Sequence, residues 1–209
     1  IAAGVIGCAV DDVTFDAGLF HGPANANYKP MGWDDIASHS NADGGLSVLG
    51  EFLPPDVTYP NGCHICEVEI DPTTGVVRFA DYVVVEDVGT VLNADMVEGQ
   101  MHGGIAQGVG QALGEILRYD DHGQLLSGSF MDYQMPIAGD LPSFRISTLA
   151  VPTAVNPLGA KGVGEAGTVG SLAATMNAVM DALSTAGVTA FEMPATPCRV
   201  WEALQAAKG

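Results

Sequence analysis

The chain has 209 residues, of which 47% are hydrophobic and 15% are charged. This composition is typical of a globular protein with one sizeable core and excludes a disordered chain. Lysine and arginine number 7 against 25 aspartate and glutamate residues, so the formal net charge is −18 at pH 7. Such a surface repels phosphate backbones and anionic lipids, which argues against nucleic-acid or membrane-surface binding as a general activity. No run of about 18 apolar residues occurs, so we expect no membrane span.

The first fifty residues show little regular pattern. Residues 11–18 are compatible with a short hairpin, and a helix is predicted to begin near Trp33 before the segment 41–45 interrupts it. The chain starts at Ile1 with neither a methionine nor a basic signal sequence, which favours a piece of a longer polypeptide. We therefore expect residues 1–50 to be an irregular leader that packs on parts of the protein outside this chain.

The most regular β pattern follows a proline-containing connector over 51–60. Residues 65–70 alternate like a strand, 71–75 carry turn residues, and 76–86 are rich in valine and aromatic side chains. The sequence therefore predicts a β-hairpin.

Residues 96–115 have the hydrophobic spacing of a helix, although six glycines lie within them. Each glycine costs roughly 1 kcal/mol relative to alanine in a helix interior, so we expect a compensating use. Glycines four residues apart form smooth faces on which a second backbone or a flat ligand can lie. Two interpretations stay open, which are close packing of another helix and a cofactor edge contacted by Gln100, His102 and Gln107.

Two further helices are predicted in the C-terminal part of the chain. One covers 171–186 and has Ser171 as its N-cap. The other covers 197–207, with Thr196 as N-cap and Pro197 at its first position, where proline is well tolerated.

Two more strands are predicted over 125–135 and 144–150. Together with the hairpin at 65–86 they would form a mixed sheet. The helices at 96–115 and 171–186 would cover this sheet, so the predicted fold class is α+β.

The chain has four cysteines, too few for a disulfide scaffold of this length, which indicates a reducing compartment. Cys63 and Cys66 match C-x-x-C, but residues three apart in a strand point to opposite faces. We interpret them as ordinary strand cysteines and predict no metal ligand among the protein side chains.

Residues 159–171 contain five glycines and a single acidic side chain, Glu165. Glycine lets a ligand lie against the backbone, and the helix N-terminus that follows suits an anion or an ionised side chain. Residues 162–167 match the dinucleotide pattern G-x-G-x-x-G, but no good strand precedes them and a carboxylate there would repel phosphates. We favour Glu165 as a general base. A nucleotide-binding module and a non-catalytic docking domain are the alternatives.

Three stretches in combination resemble one enzyme family. They are Gly159-Ala-Lys-Gly-Val-Gly-Glu-Ala-Gly167, Gly99-Gln-Met-His-Gly-Gly-Ile-Ala-Gln-Gly108 and Pro60-Asn-Gly62. Their order and spacing resemble the C-terminal portion of the molybdopterin-binding large subunit of the xanthine oxidase family, with the carbon monoxide dehydrogenase and aldehyde oxidase-like large chains most similar. The resemblance implies that residues 51–209 are the C-terminal half of a molybdenum cofactor-binding domain.

The resemblance also implies roles for individual residues. Glu165 matches the active-site glutamate, which acts as the proton acceptor beside the metal. Gln100 matches a glutamine that hydrogen-bonds the pterin, and Gln107 is carried over from the same helix. The loop whose backbone lies along the cofactor is matched by Lys161, Gly162, Val163 and Gly164. In the family the molybdenum is held by the pterin, in its simple or its cytosine dinucleotide form, and by no side chain of this region.

The family's other parts lie outside this chain. The implied partners are the rest of the molybdenum subunit, iron–sulfur and FAD subunits or domains, and a small-molecule substrate such as an aldehyde, an N-heterocycle or a CO-like molecule. We expect a cytoplasmic, oligomeric oxidoreductase. We expect the isolated chain to bind no molybdenum and to be inactive.

Overall fold

The computed structural model describes residues 1–24, 27–40, 46–47 and 49–208. The chain forms two compact units, Ile1–Leu53 and Pro54–Gly209. The glycine-rich break expected at 41–45 lies outside the described residues. Among those that are described, no helix is both long enough and apolar enough to cross a bilayer.

The first unit is small and built from short elements. These are α1 Ala2–Ile6, β1 Thr14–Asp16, β2 Leu19–His21 and α2 Trp33–Ser38. The two strands form an antiparallel hairpin, and Ala2, Met31 and Ile36 make the core. The helix predicted near Trp33 is confirmed, and the hairpin extends further along the chain than predicted, to His21.

The second unit carries the larger core. Its elements are β3 Asn61–Ile70, β4 Val77–Asp87, α3 Ala94–Leu113, β5 Arg145–Thr148, α4 Ala166–Ser184 and α5 Pro197–Ala206. The sheet order is β3-β4-β5, with β3 antiparallel and β5 parallel to β4. The predicted hairpin, the mixed sheet and the α+β class are therefore confirmed.

A β-bulge sets which side chains of β4 face the helices. The register with β3 shifts where Ala80 is an extra residue in β4. Beyond this bulge the buried positions of β4 are Tyr82, Val84 and Glu86. His64 of β3 pairs with Val84, so it stands diagonally between Tyr82 and Glu86 on the same face.

Helix α3 packs against α4 at a distance that leaves no room for side chains on the glycines between them. A Cβ on Gly108 would lie 2.1 Å from Ser171 Oγ and 2.8 Å from the carbonyl oxygen of Thr168. A Cβ on Gly104 would lie 3.0 Å from the Cα of Gly167. This face of α3 is therefore a helix contact, and for Gly104 and Gly108 the interpretation as close packing of another helix is confirmed.

Helix α4 begins earlier than predicted, and Ser171 as its N-cap is wrong. The helix starts at Ala166, Glu165 occupies the N-cap position, and Ser171 is completely buried in the helix interior. Gly167 and Gly170 have weak helix propensity, which suggested a loop. Packing against the neighbouring helix and strand overrides that preference.

The strand predicted over 125–135 is wrong, because most of this segment consists of turns. The Ser129 carbonyl accepts from the N–H groups of Asp132 and Tyr133, and the Ser129 hydroxyl bonds to the Asp132 carboxylate. Such local bonds compete with sheet pairing. The strand predicted over 144–150 is confirmed as β5, and α5 begins at Pro197 as predicted.

Candidate active site

The glycine-rich loop is fixed at its start to the chain that follows β4. The carbonyl oxygen of Gly159 accepts from the N–H of Thr90 at 2.9 Å, and the N–H of Lys161 donates to the carbonyl of Val88 at 2.9 Å. These two backbone bonds hold the loop against the chain that follows β4 independently of any side chain.

The Lys161 side chain adds an ion pair to this attachment. Its Nζ lies 2.5 Å from Oδ2 of Asp87, and both side chains are largely buried. The Asp87 carboxylate also accepts from the N–H groups of Val151 and Gly89. The Lys161 hydrogen bond, followed by these two, lowers the pKa of Asp87 to about 2. The ammonium group of Lys161 is thus an anchor of the loop rather than a free cation.

Residues 162–165, here called the rim, leave the surface open above them. Val163 packs into the hydrophobic cluster formed by β4 and α3, whereas Gly162 and Gly164 are exposed. A Cβ on Gly162 would meet no atom within 4 Å, and one on Gly164 would meet only Gln100 Oε1 at 4.0 Å. The backbone at the rim can therefore be approached closely by a flat ligand.

Glu165 is the acidic residue of the rim. Its backbone carbonyl accepts from the N–H of Val169 at 3.0 Å, but its side chain makes no capping hydrogen bond to α4. Within the described ranges its carboxylate has no hydrogen-bond or ion-pair partner. The unpaired N–H groups at the start of α4 lie next to it. The carboxylate is therefore available to a ligand.

An open cavity of about 550 Å³ lies in front of the rim, within the usual size of small-molecule sites. It is lined by two carboxylates, an imidazole, several glycines and a few apolar side chains. The lining residues are Pro60, Asn61, Gly62, His64, Glu86, Gly162, Gly164, Glu165, Ala166, Val169 and Gly170. The cavity joins two of the stretches that carried the family resemblance, at 60–62 and 159–167.

Another part of the cavity wall contains a buried hydrogen-bonded row. His64 Nδ1 lies 2.7 Å from the Tyr82 hydroxyl, and His64 Nε2 lies 2.9 Å from Glu86 Oε1. The side chains of His64 and Glu86 are 3% and 4% exposed, and Tyr82 is fully buried. Burial raises the pKa of the Tyr82 phenol, so its hydroxyl stays protonated. Sequence reasoning did not single out this row.

The sequence-predicted residues divide into three groups. Gly162, Gly164 and Glu165 line the cavity, and Gln100 lies beside Gly164. Lys161 and Val163 hold the loop in place. Gln107 is directed elsewhere, since its Oε1 lies 3.2 Å from the Thr168 hydroxyl at the contact between α3 and α4.

The cysteine pair and the acidic residues form no metal centre within the described part of the chain, where no group of three or more His, Cys, Asp or Glu side chains could hold an ion. Cys63 lies on the exposed face of β3 and Cys66 on the inner face. Burial raises the pKa of the Cys66 thiol to about 11, so it remains a protonated thiol.

The fold and this cavity define an α+β domain whose open backbone and free carboxylate face a cavity of small-molecule size. The model of the family described as "Molybdopterin cofactor-binding domain" matches residues 1–142. The chain therefore belongs to this family, and the prediction of a molybdopterin-binding large-subunit portion of the xanthine oxidase family is confirmed.

Individual relatives agree with this assignment. The chain is 38% identical over 161 residues to the carbon monoxide dehydrogenase large chain of Hydrogenophaga pseudoflava, covering 77% of this chain and 20% of that protein. It is 40% identical over 177 residues to the nicotine 6-hydroxylase large subunit of Paenarthrobacter nicotinovorans, covering 85% and 21%. The chain thus spans about a fifth of the length of the curated relatives it matches.

Solved structures extend the similarity over nearly the whole chain. The reconstituted CO dehydrogenase from Oligotropha carboxidovorans superposes with a TM-score of 0.86 at 31% identity, covering 99% of this chain and 26% of that one. Quinoline 2-oxidoreductase from Pseudomonas putida 86 gives 0.82 at 37% identity, covering 97% and 27%.

Proposed function

We propose that this chain is the C-terminal part of the large subunit of a molybdenum-dependent oxidoreductase, in which Glu165 is the general base. The observation that carries the proposal is the free carboxylate of Glu165, which lines a ligand-sized cavity at the start of α4 and has no partner within the described ranges. A glutamate with a structural role would cap the helix or pair with a cation. This one does neither.

The residues around the cavity fit a molybdopterin cofactor. Gly162 and Gly164 leave room for a flat ring against the backbone, and the exposed Gln100 amide beside them offers both a donor and an acceptor. The bound cofactor would supply the redox chemistry of the reaction. This backbone is held in position by the packing of Val163 and by the Lys161–Asp87 ion pair, so the ligand would meet a preformed surface.

The proposed reaction is oxidative hydroxylation or dehydrogenation of a small molecule. The relatives' names refer to carbon monoxide, nicotine, quinoline and aldehydes, which supports an aldehyde, an N-heterocycle or a CO-like molecule as the substrate class. In this reaction Glu165 accepts a proton at its carboxylate oxygen, while Pro60, Ala166 and Val169 give the cavity an apolar lining.

The proposal extends to partners and location. The active enzyme would be a cytoplasmic oligomer in which this chain's part of the large subunit meets the rest of that subunit and iron–sulfur and FAD components. Because the cavity is open on one side, we expect the 209-residue chain alone to bind no molybdenum and to turn over no substrate. Stoichiometric molybdenum in the purified chain would contradict this expectation.

The test is Glu165→Gln in the full-length enzyme, with turnover expressed per bound molybdenum. Loss of a general base lowers turnover by about 10²- to 10⁴-fold, and the near-isosteric glutamine should leave the metal content unchanged. Glu67→Gln, which removes a carboxylate from the exposed face of β3, is the matched control and should retain full turnover. Retained turnover in Glu165→Gln would instead favour a docking domain without a catalytic role.

The nucleotide-binding alternative has less support. Gly167 of the G-x-G-x-x-G pattern lies within α4 and packs against α3, and the residues before Gly162 form no strand. The strand, turn and helix that a dinucleotide fingerprint requires are therefore absent at this place in the described chain. We expect titration with NAD or NADP to show no binding.

A further inference from the structure

The buried row of Tyr82, His64 and Glu86 has a defined pattern of proton donation. A carboxylate oxygen accepts, so in the contact with Glu86 Oε1 the donor is His64 Nε2. The other ring nitrogen, Nδ1, is hydrogen-bonded to the Tyr82 hydroxyl, which burial keeps protonated. The imidazole is thereby held at both nitrogens and orients the Glu86 carboxylate.

Two glycines bring the main chain close to this row. A Cβ on Gly62 would lie 2.2 Å from Glu86 Oε1, and a Cβ on Gly170 would lie 2.4 Å from His64 Nε2. The carboxylate and the imidazole therefore occupy space that side chains at these two positions would fill. The main chains of β3 and α4 thus pack directly against the row.

The Glu86 carboxylate is incompletely satisfied. Among the described residues only its Oε1 atom makes a hydrogen bond, to the His64 imidazole, although the side chain is 4% exposed. No lysine or arginine of the described residues lines the cavity, and Lys161, which directly precedes the lining residue Gly162, is paired with Asp87. A buried carboxylate oxygen without a hydrogen-bond donor is costly unless a ligand supplies one.

We propose that Glu86, oriented by His64, is a recognition group of this cavity. Its free oxygen accepts a hydrogen bond from an N–H donor of a neutral or cationic substrate, and together with Glu165 it disfavours a substrate that carries a negative charge. The inference rests on the proposed function in one respect, because it takes the cavity beside Glu165 as the place where substrate enters. It narrows the substrate class to molecules that present an N–H or a positive charge.

The experiment compares three planar molecules of nearly equal size, which are benzamidinium, benzamide and benzoate. Binding to the full-length enzyme is followed by NMR after glycine labelling, with the amide signals of Gly62 and Gly170 as local reporters on the cavity wall. In about 0.15 M salt, which screens the general negative charge of the surface, we expect benzamidinium to bind about tenfold more tightly than benzoate, with benzamide between them.

The variant Glu86→Gln should weaken benzamidinium binding about fivefold or more and reduce the preference over benzoate, because it removes the buried charge. Glu67→Gln removes one carboxylate from the exposed face of the same hairpin and should leave binding within about twofold, as expected for a screened surface charge. If Glu86→Gln does not fold, the order of the three ligands and the location of the shifts in the parent enzyme still decide the question.

Equal binding of benzoate and benzamidinium, shifts located away from Gly62 and Gly170, or an equal loss in Glu67→Gln would each overturn the proposal. No turnover is measured, so the outcome is independent of the role of Glu165. If benzamidinium and benzoate bind equally while Glu165→Gln loses turnover, this inference alone is rejected. If benzamidinium is preferred while Glu165→Gln keeps its turnover, only the proposed function is rejected.

Discussion

Glycine has opposite uses in two neighbouring regions of the second unit, which are the contact between α3 and α4 and the rim. At the contact between α3 and α4, Gly108 faces atoms so close that a single methyl group would collide with them. At the rim, Gly162 faces open space. The first position lacks a side chain because the protein itself occupies the volume. The second leaves its backbone uncovered within the described structure, at the place where the proposed cofactor would lie.

The charged residues of the two regions differ in the same way. Beneath the rim, Lys161 and Asp87 form a largely buried ion pair, whereas Glu165 above them has no partner in the described part of the chain. The paired residues hold the loop, and the unpaired one is free to react. A binding site that is formed before the ligand arrives needs both features. It needs packed and paired residues to support it, and exposed residues without partners to contact the ligand.

The largest effect on stability is expected at the helix contact. Gly108→Ala places a methyl group against Ser171 and the backbone of Thr168, so the two helices must separate at a cost of about 3 kcal/mol in the free energy of unfolding. The control is Gly103→Ala in the same helix, where a Cβ meets nothing within 4 Å and should stabilise by about 1 kcal/mol. Denaturant unfolding measures both changes in the free energy of unfolding. If both variants were stabilised, or both destabilised, the distinction between the packed Gly108 and the open Gly103 would be lost.

A smaller effect is expected at the ion pair beneath the rim. The pKa of Asp87 is lowered in the folded chain, so the pair contributes stability above the ordinary carboxyl value of 3.8 and loses it as pH falls toward about 2. Lys161→Met removes the largest cause of this shift, so the midpoint of acid unfolding should move to higher pH. Lys208→Met removes the same charge from an exposed position and should leave the midpoint unchanged. An unchanged midpoint in Lys161→Met would show that the pair does not hold the loop.

The smallest effect on stability is expected at the rim itself. Gly164→Ala meets only Gln100 Oε1 at 4.0 Å, so the free energy of unfolding of the chain should change by less than about 0.5 kcal/mol. In the full-length enzyme the same methyl group lies on the surface proposed for the cofactor and should lower the molybdenum content. Normal molybdenum content in this variant would mean that the rim backbone does not approach the cofactor.

Local patterns predicted much of this fold. The hairpin of β3 and β4 follows from alternating hydrophobicity around a turn, and α5 follows from Pro197 at its first position. The start of α4 was placed too late because Gly167 and Gly170 discourage a helix locally, and only the contacts with α3 and β3 explain why it forms. Residues 125–135 lack a strand because their serine and aspartate side chains bond to nearby groups.

The candidate site could be predicted only in part. Glu165 and the glycines of the rim were visible as an unusual local composition, but the buried row of His64 and Glu86 was not. A regular hairpin counted back from its turn would pair His64 with Val83 and leave Glu86 on the other face. The bulge at Ala80 shifts the pairing partner of His64 to Val84 and joins the two side chains. No local sequence pattern predicts that bulge.

The central claim is that Glu165 takes part in the chemical step rather than in holding the domain together. The most direct test is a single-turnover experiment on the full-length enzyme, in which the rate of enzyme reduction by substrate is compared between the parent and Glu165→Gln at equal molybdenum content. We expect a rate at least about 100-fold lower in the variant, with an unchanged free energy of unfolding. An unchanged single-turnover rate would contradict the account.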